Sequence, residues 1–207
     1  MATQAERRDT TIRALEQAAQ NLFETRGFTE TTVDDIVTKA GVAKGAFYHH
    51  YDSKESIFDS VVDLVQASLA REVANIAAKG AGPVAKLRLG LSAYMAACNR
   101  PRIKRVLLLD GPSVLGWPRW RDIDNKYFGE MTRRAVAAAL GPNARALHVQ
   151  AVASLISGAF AEAAMLTAAS EQSAYTPTDL CTAMDVLLIG LETEPKSASR
   201  KTGRISR

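Results

Sequence analysis

TTVDDIVTKAGVAKGAFYHHY, residues 31–51, reads as a helix, a one-glycine turn and a second, shorter helix. Thr31 and Asp34 have the spacing of a capping box, with Asp in place of the more usual Glu. Val33, Ile36, Val37 and Ala40 recur at helical spacing and give the first helix one apolar face. Gly41 accepts the left-handed backbone that a tight turn between helices requires. Ala40, just before it, lets the two helices come close. Val42 and Phe47 are placed to pin the second helix, Ala43 to about His50, from beneath. Its other side then carries Lys44, Gly45, Ala46, Tyr48 and His49. A helix presenting such a side can enter a DNA major groove, which is about 12 Å wide.

Outward from this unit the helical period continues in both directions. Ile12, Leu15, Ala19, Leu22 and Phe23 share one face of a helix predicted from about Thr10 to Arg26, capped by Asp9 or Thr10 and ended by Gly27. Asp52 and Ser53 offer caps for a fourth helix running toward Lys79, with Glu55 three residues after Asp52. Gly80 to Pro83 is a break. Val84 to about Asn99 is a fifth helix, and Pro101 opens a sixth that runs to about Leu109. Asp110 to Pro118, rich in Gly and Pro, is predicted as a loop. Trp120 to Leu140 and Asn143 to about Ser170 are the seventh and eighth helices. Thr176-Pro177 opens a ninth, ending before Pro195. No segment alternates with the two-residue period of a strand, so the class is all-α with about nine helices.

The net charge of +4 and pI near 9.2 invite a nucleic-acid reading, but their distribution does not carry it. Five basic residues and no acid lie from Lys196 onward, so the rest of the chain carries −1. The first 56 residues hold seven Lys and Arg against nine Asp and Glu. Any case for DNA therefore rests on where particular side chains sit. The tail, residues 195–207, has almost nothing to bury and is expected to be disordered. Cys98 and Cys181 are too few for a disulfide framework, and the polar opening Met1 to Asp9 has no signal-peptide core, so the expected location is the cytoplasm. Ala146 to Ser170 is long enough to cross a bilayer, but Glu162 would be costly there, and a buried helix at an interface is expected instead.

The run GFTETTVDDIVTKAGVAKGAFYHHYDSKESIF, residues 27–58, resembles the DNA-binding domain of the tetracycline-repressor (TetR) family of bacterial regulators. The resemblance covers about residues 8–68. It implies a three-helix helix-turn-helix domain, a helical effector-binding and dimerisation domain over 69–194, and a homodimer formed through the last two helices. Carried over by position, it implies that Thr31 and Thr32 touch phosphate and that Lys44, Gly45 and Ala46 lie against the groove. Tyr48 and His49 would reach phosphate or base, and Lys54 would add a phosphate contact beside a helix N-terminus. Two residues depart from the family pattern. Val37 stands where Ala is usual, and Ala43 where many relatives have a capping Ser or Thr, a loss of about 1 kcal/mol. The adjacent His49 and His50 do not face one way on a helix, so no metal is expected, and no cofactor.

In the second half, Tyr94, Met95, Cys98, Leu108, Asp110, Trp117, Phe128 and Met131 are the candidate lining of an effector pocket. The stretch LLLDGPSVLGWPRWRDID, residues 107–124, resembles a pattern in a subset of TetR C-terminal domains. It places Asp110, Ser113 and Trp117 near a pocket mouth. Small residues along the eighth helix (Ala151, Ala153, Ser157, Gly158, Ala161, Ala164), with Leu155, Phe160 and Met165, are expected to pair with Leu187, Leu188 and Leu191 across a two-fold axis. The reading is a repressor released from a palindromic operator by a small, mainly hydrophobic ligand. The alternatives are a ligand-binding helical protein without DNA binding and an enzyme on a helical scaffold. The second has little support: there is no Gly-rich phosphate loop, HExxH or GxSxG, and only three histidines.

Overall fold

The computed structural model describes residues 3–168 and 175–191. Among them the chain forms nine helices and no strand, counting segments that run on without a break as one. They are α1 Gln4–Arg26, α2 Val33–Ala40, α3 Lys44–His50, α4 Lys54–Ala77, α5 Pro83–Cys98, α6 (residues 101–115), α7 (residues 117–140), α8 Ala146–Ala168 and α9 Pro177–Ile189. The expected tail, and the ends expected for α8 at Ser170 and α9 before Pro195, lie outside the described residues.

Several boundaries differ from the sequence reading for identifiable reasons. α1 begins two turns earlier than expected, capped by a reciprocal Thr3–Glu6 box. Those turns are fully exposed, so they carry no apolar face to betray them. Thr32, not Thr31, caps α2, accepting from the Asp35 N–H at 3.1 Å while Asp35 accepts from the Thr32 N–H at 2.9 Å. Ser53 with Ser56, rather than Asp52 with Glu55, caps α4. No side chain caps α3 at Ala43.

The predicted loop from Asp110 to Pro118 is instead almost wholly helical. α6 consists of α-helical Pro101–Ile103, π-helical Lys104–Asp110 and α-helical Gly111–Leu115. The single break is at Gly116, after which α7 starts at once with Trp117. In the π pattern the Leu107 carbonyl would look to residue 112 for its N–H, and residue 112 is a proline. The Trp120 indole N–H takes that carbonyl instead, at 2.6 Å. Gly111 leaves the room, since a Cβ there would stand 2.9 Å from the indole ring. The Gly and Pro residues that suggest a loop thus serve a close helix–helix contact.

α4 belongs to both halves, and the expected boundary at residues 68/69 falls inside it. Its 24 residues span about 36 Å. At its start Phe58 meets Phe23 and Phe28 in an aromatic cluster with ring centroids 5.1–5.8 Å apart. Further on, Leu69, Val73 and Ala77 are buried against α5 and beyond. Two acidic residues on α4 fix α7 to it: Asp59 accepts a two-pronged bond from Arg119, and Asp63 accepts from Lys126 and Tyr127. α8 is long and apolar enough by composition to cross a membrane. Its Val149, Ala153, Ile156, Ala161 and Ala164 are buried within the bundle.

Candidate nucleic-acid interface and effector cavity

α3 is held from below and bare above. Phe47 is fully buried, and Tyr51, just past the helix, donates its hydroxyl to Glu16 on α1 at 2.9 Å. Burial and the Glu16 bond push the Tyr51 phenol up to about 12, so it stays a neutral donor. Gly41, at φ 68° and ψ 33°, supplies the left-handed turn that leads into α3. Lys44, Gly45, Tyr48 and His49 are exposed, and Ala46 is half-buried. Lys44 pairs with Asp34 of α2 at 2.8 Å, and that hydrogen bond raises its ammonium above the ordinary lysine range. Thr32 is exposed at the start of α2.

Two residues expected at phosphates are occupied elsewhere. Thr31 is fully buried and its hydroxyl donates to the Gly27 carbonyl at 2.8 Å. Lys54 is half-buried over the Phe28 ring, 4.1 Å from its centre, and donates to the Phe28 and Thr31 carbonyls at 2.8 and 2.9 Å. Lys54 ties the 27–32 turn to α4 and Thr31 braces that turn from within, so neither side chain is presented to phosphate. The signal for this was the pairing of Phe28 with a lysine 26 residues on, which has no local spacing and is invisible to periodicity. His50 is turned inward, its Nδ1 without a partner, and burial and the neighbouring His49 lower its pKa.

The second half holds a cavity of about 1020 Å³ among α4, α5, α7 and α8, partly open to solvent. One wall is a stripe of alanines on α4, Ala67, Ala70, Ala74 and Ala77, continued by Ala78 just past its end. Val73, Leu87, Gly90, Phe128, Met131 and Phe160 add apolar surface, and Tyr94, Asp124, Thr132 and Ser157 add polar groups. Arg71, Lys86, Glu130 and Arg134 are exposed and so form its rim. Asp124 is buried, and its desolvation raises its carboxyl to about 6 even though Arg121 pairs with it at 2.7 Å. Burial also raises the Tyr94 phenol and pushes the Cys98 thiol up to about 12. Neither ionises in the ordinary range.

Comparison with known proteins agrees with this layout. The family profile for the tetracycline repressor-like C-terminal domain matches residues 84–191, more than half of the chain. The profile for bacterial regulatory proteins of the tetR family matches residues 15–61. The chain belongs to the TetR family. A solved TetR-family regulator from Pectobacterium atrosepticum aligns over 94% of this chain and 100% of its own, at 27% identity and a TM-score of 0.77. The repressor KstR2 of Rhodococcus jostii is 50% identical over 44 residues, which is 21% of this chain and 22% of that protein. This chain therefore spans about a quarter of the length of the curated relatives it matches. The regulator FadR from Bacillus subtilis, solved with stearoyl-CoA, shares the fold at 18% identity and a TM-score of 0.63, covering 87% of this chain and 97% of that one.

Against this TetR frame the expected pocket residues divide. Tyr94, Phe128 and Met131 line the cavity. Met95, Cys98 and Leu108 do not; they are buried in the packed core, with Cys98 hydrogen-bonded to Tyr94. Trp117 is 51% exposed and lies against Trp120, outside the cavity. Asp110 faces the DNA-binding half, accepting the Phe28 N–H at 2.9 Å. Beside it Arg105 donates to the Thr25 carbonyl and Arg102 pairs with Glu24. Asp110 is thus a strut between halves and not a rim residue. Missed by the sequence reading were the α4 alanines, Gly90 and Asp124. The alanines do recur at helical spacing, but small residues on a buried face ordinarily mean close packing and not a void.

Proposed function

We propose that this TetR-family protein is a sequence-specific DNA-binding transcriptional regulator, a repressor that leaves a near-palindromic operator when a small, mainly hydrophobic ligand fills its cavity. The observation that supports this most is the bare α3 face above a buried Phe47, joined through α4 and the Asp110–Phe28 contact to a large alanine-lined cavity. Lys44, Gly45, Ala46, Tyr48 and His49 lie against the groove, and Thr32 with the start of α2 meets phosphate. The Lys44–Asp34 pair opens as Lys44 exchanges a carboxylate for the DNA. A ligand wedged between the α4 alanines and α7 tilts α4, and the 27–32 turn held by Lys54 and Asp110 follows it. Ligand and operator then compete for different positions of the same helix.

The active unit in this reading is a homodimer. On α8, Leu147, Ala151 and Leu155 recur every four residues and are exposed, the two leucines by about three quarters. On α9, Val186 and Leu187 are exposed as well. Covering this stripe against its two-fold copy buries it, as exposed apolar patches of this kind require. Of the residues expected at this interface, Ala151, Leu155 and Leu187 lie on the exposed stripe, whereas Ala153, Ser157, Ala161, Ala164 and Leu188 are buried within the protomer. Two α3 helices then sit about 34 Å apart, one turn of DNA.

Selection of bound sequences from random duplexes tests the reading. It should return an inverted repeat, with affinity falling steeply as salt rises through release of counterions. A second reading, a ligand-binding protein that does not bind DNA, draws on the acidic balance of the first 56 residues and on the Lys44–Asp34 pair. Recovery of no enriched sequence, together with saturable ligand binding, would favour it.

A further inference from the structure

The polar side chains that line the cavity divide into those already engaged and those with capacity to spare. Asp124 accepts from Arg121 at one oxygen and from Gln66 at the other, at 2.7 and 3.2 Å. Glu130, at the rim, accepts from Arg133 at both oxygens and from Arg134 at one of them. Tyr127 donates its hydroxyl to Asp63, and Tyr94 is bonded to Cys98. The other polar lining side chains have no partner among the described residues. They are the buried hydroxyls of Thr132 and Ser157 and the exposed cations of Arg71 and Lys86 at the rim. All of them can donate, and the two charged ones can only donate. The carboxylates that could receive them are full. The unspent charge is therefore positive and sits at the opening, on α4 and α5, while the spare buried groups are neutral.

That distribution separates the two ends of a ligand. The α4 alanines, with Val73, Leu87, Phe128 and Met131, gain from apolar surface and give a charge no partner. An anionic group carried inside would lose its water beside the Asp124 carboxylate. At the opening the same group keeps part of its water and meets Arg71 and Lys86. A cation there meets like charge. We propose that the effector is an anionic amphiphile: an apolar chain seated along the α4 alanines, ending in a carboxylate or phosphate held at the opening by Arg71 and Lys86. This deepens the reading of the cavity as the effector site and rests on it.

Direct titration of the full-length protein with dodecanoate, dodecyl phosphate, 1-dodecanol and dodecylammonium, each below its micellar concentration, tests the assignment. At low salt the two anions should bind about threefold to tenfold more tightly than the alcohol, the worth of two partly exposed ion pairs. The ammonium should bind most weakly. The preference for anions should shrink as salt rises. The double variant Arg71→Gln/Lys86→Gln should abolish it and leave the affinity for the alcohol unchanged, which shows that the cavity is still intact. The tighter of the two anions names the head group. Alcohol or ammonium binding as tightly as the anions, binding of none of the probes, or an anion preference that survives the double substitution overturns the proposal. Operator release by the same probes separates the two levels. Anion-selective binding that leaves the DNA complex intact sinks the regulatory reading and keeps the ligand class. Release by every probe alike keeps the regulatory reading and overturns the ligand class.

Discussion

The two halves of this protein share one long helix and are built on opposite packing principles. The DNA-binding half is filled with large side chains: Phe23, Phe47 and Phe58 are fully buried, and Lys54 and Tyr51 tie the turns between helices to their neighbours. The second half is hollow, walled by alanines and glycine, with the Asp124 carboxylate at its wall. A close-packed unit moves as one body, whereas a cavity wall can shift at little cost when a ligand supplies the missing contacts. In the proposed function the first half reads and the second responds, with α4 common to both.

The largest effect expected from this contrast is in the filled half. Phe47→Ala should cost about 3–5 kcal/mol, because it leaves a cavity beneath α3. Chemical denaturation should show that loss. A Phe128→Ala change should cost less, since Phe128 already borders open space. Equal losses would erase the distinction between a filled and a hollow half.

Next in size is the pH response of the cavity floor. The Asp124 carboxyl is raised from 3.8 to about 6 by burial. The folded protein therefore holds a proton that the unfolded chain has lost between about pH 4 and pH 6, and this contribution to stability declines as pH rises through that window. Relative to the Asp124→Asn variant, the wild type should lose on the order of 2 kcal/mol over that range. Parallel stability curves for the two proteins would show that the group is not desolvated as described.

Two glycines sharpen the comparison at the scale of about 1 kcal/mol. Gly27 has φ 88°, and a Cβ there would stand 3.4 Å from Asp110 Oδ2. Gly27→Ala should therefore destabilise the protein by more than about 1 kcal/mol and loosen the joint between halves. Gly90 sits inside α5, where a Cβ would meet Ala77 and Val73 at 3.6 and 3.7 Å, ordinary contact distances. Gly90→Ala should stabilise the protein by about 0.5–1 kcal/mol and weaken ligand binding by narrowing the cavity. Melting curves with and without ligand measure both.

The same contrast explains what could be read in advance. The DNA-binding half advertises itself through local spacing: the 31–51 run, Gly41 and the apolar period are all short-range. Ser53, one of the two caps offered for α4, is the one used, and the cap of α2 was misplaced by one residue, Thr32 for Thr31; the exposed start of α1 and the turn held by Lys54 left no such local mark. The cavity is a matter of what is missing between helices that are distant in sequence. Gln66 and Asp124 are 58 residues apart, and Asp110 reaches Phe28 across 82. No periodicity reports such pairs. The predicted loop at 110–118 failed because Gly111 and Pro112 were read as chain breakers, when they clear a path for Trp120.

The most direct test of the central claim is the affinity of Lys44→Ala and Tyr48→Ala for a selected operator, measured beside their melting temperatures and dimer mass. The account predicts a loss of about 1–3 kcal/mol in binding for each, tenfold or more, with stability and assembly unchanged. Operator affinity equal to the wild type in both variants would show that the outer face of α3 does not read DNA.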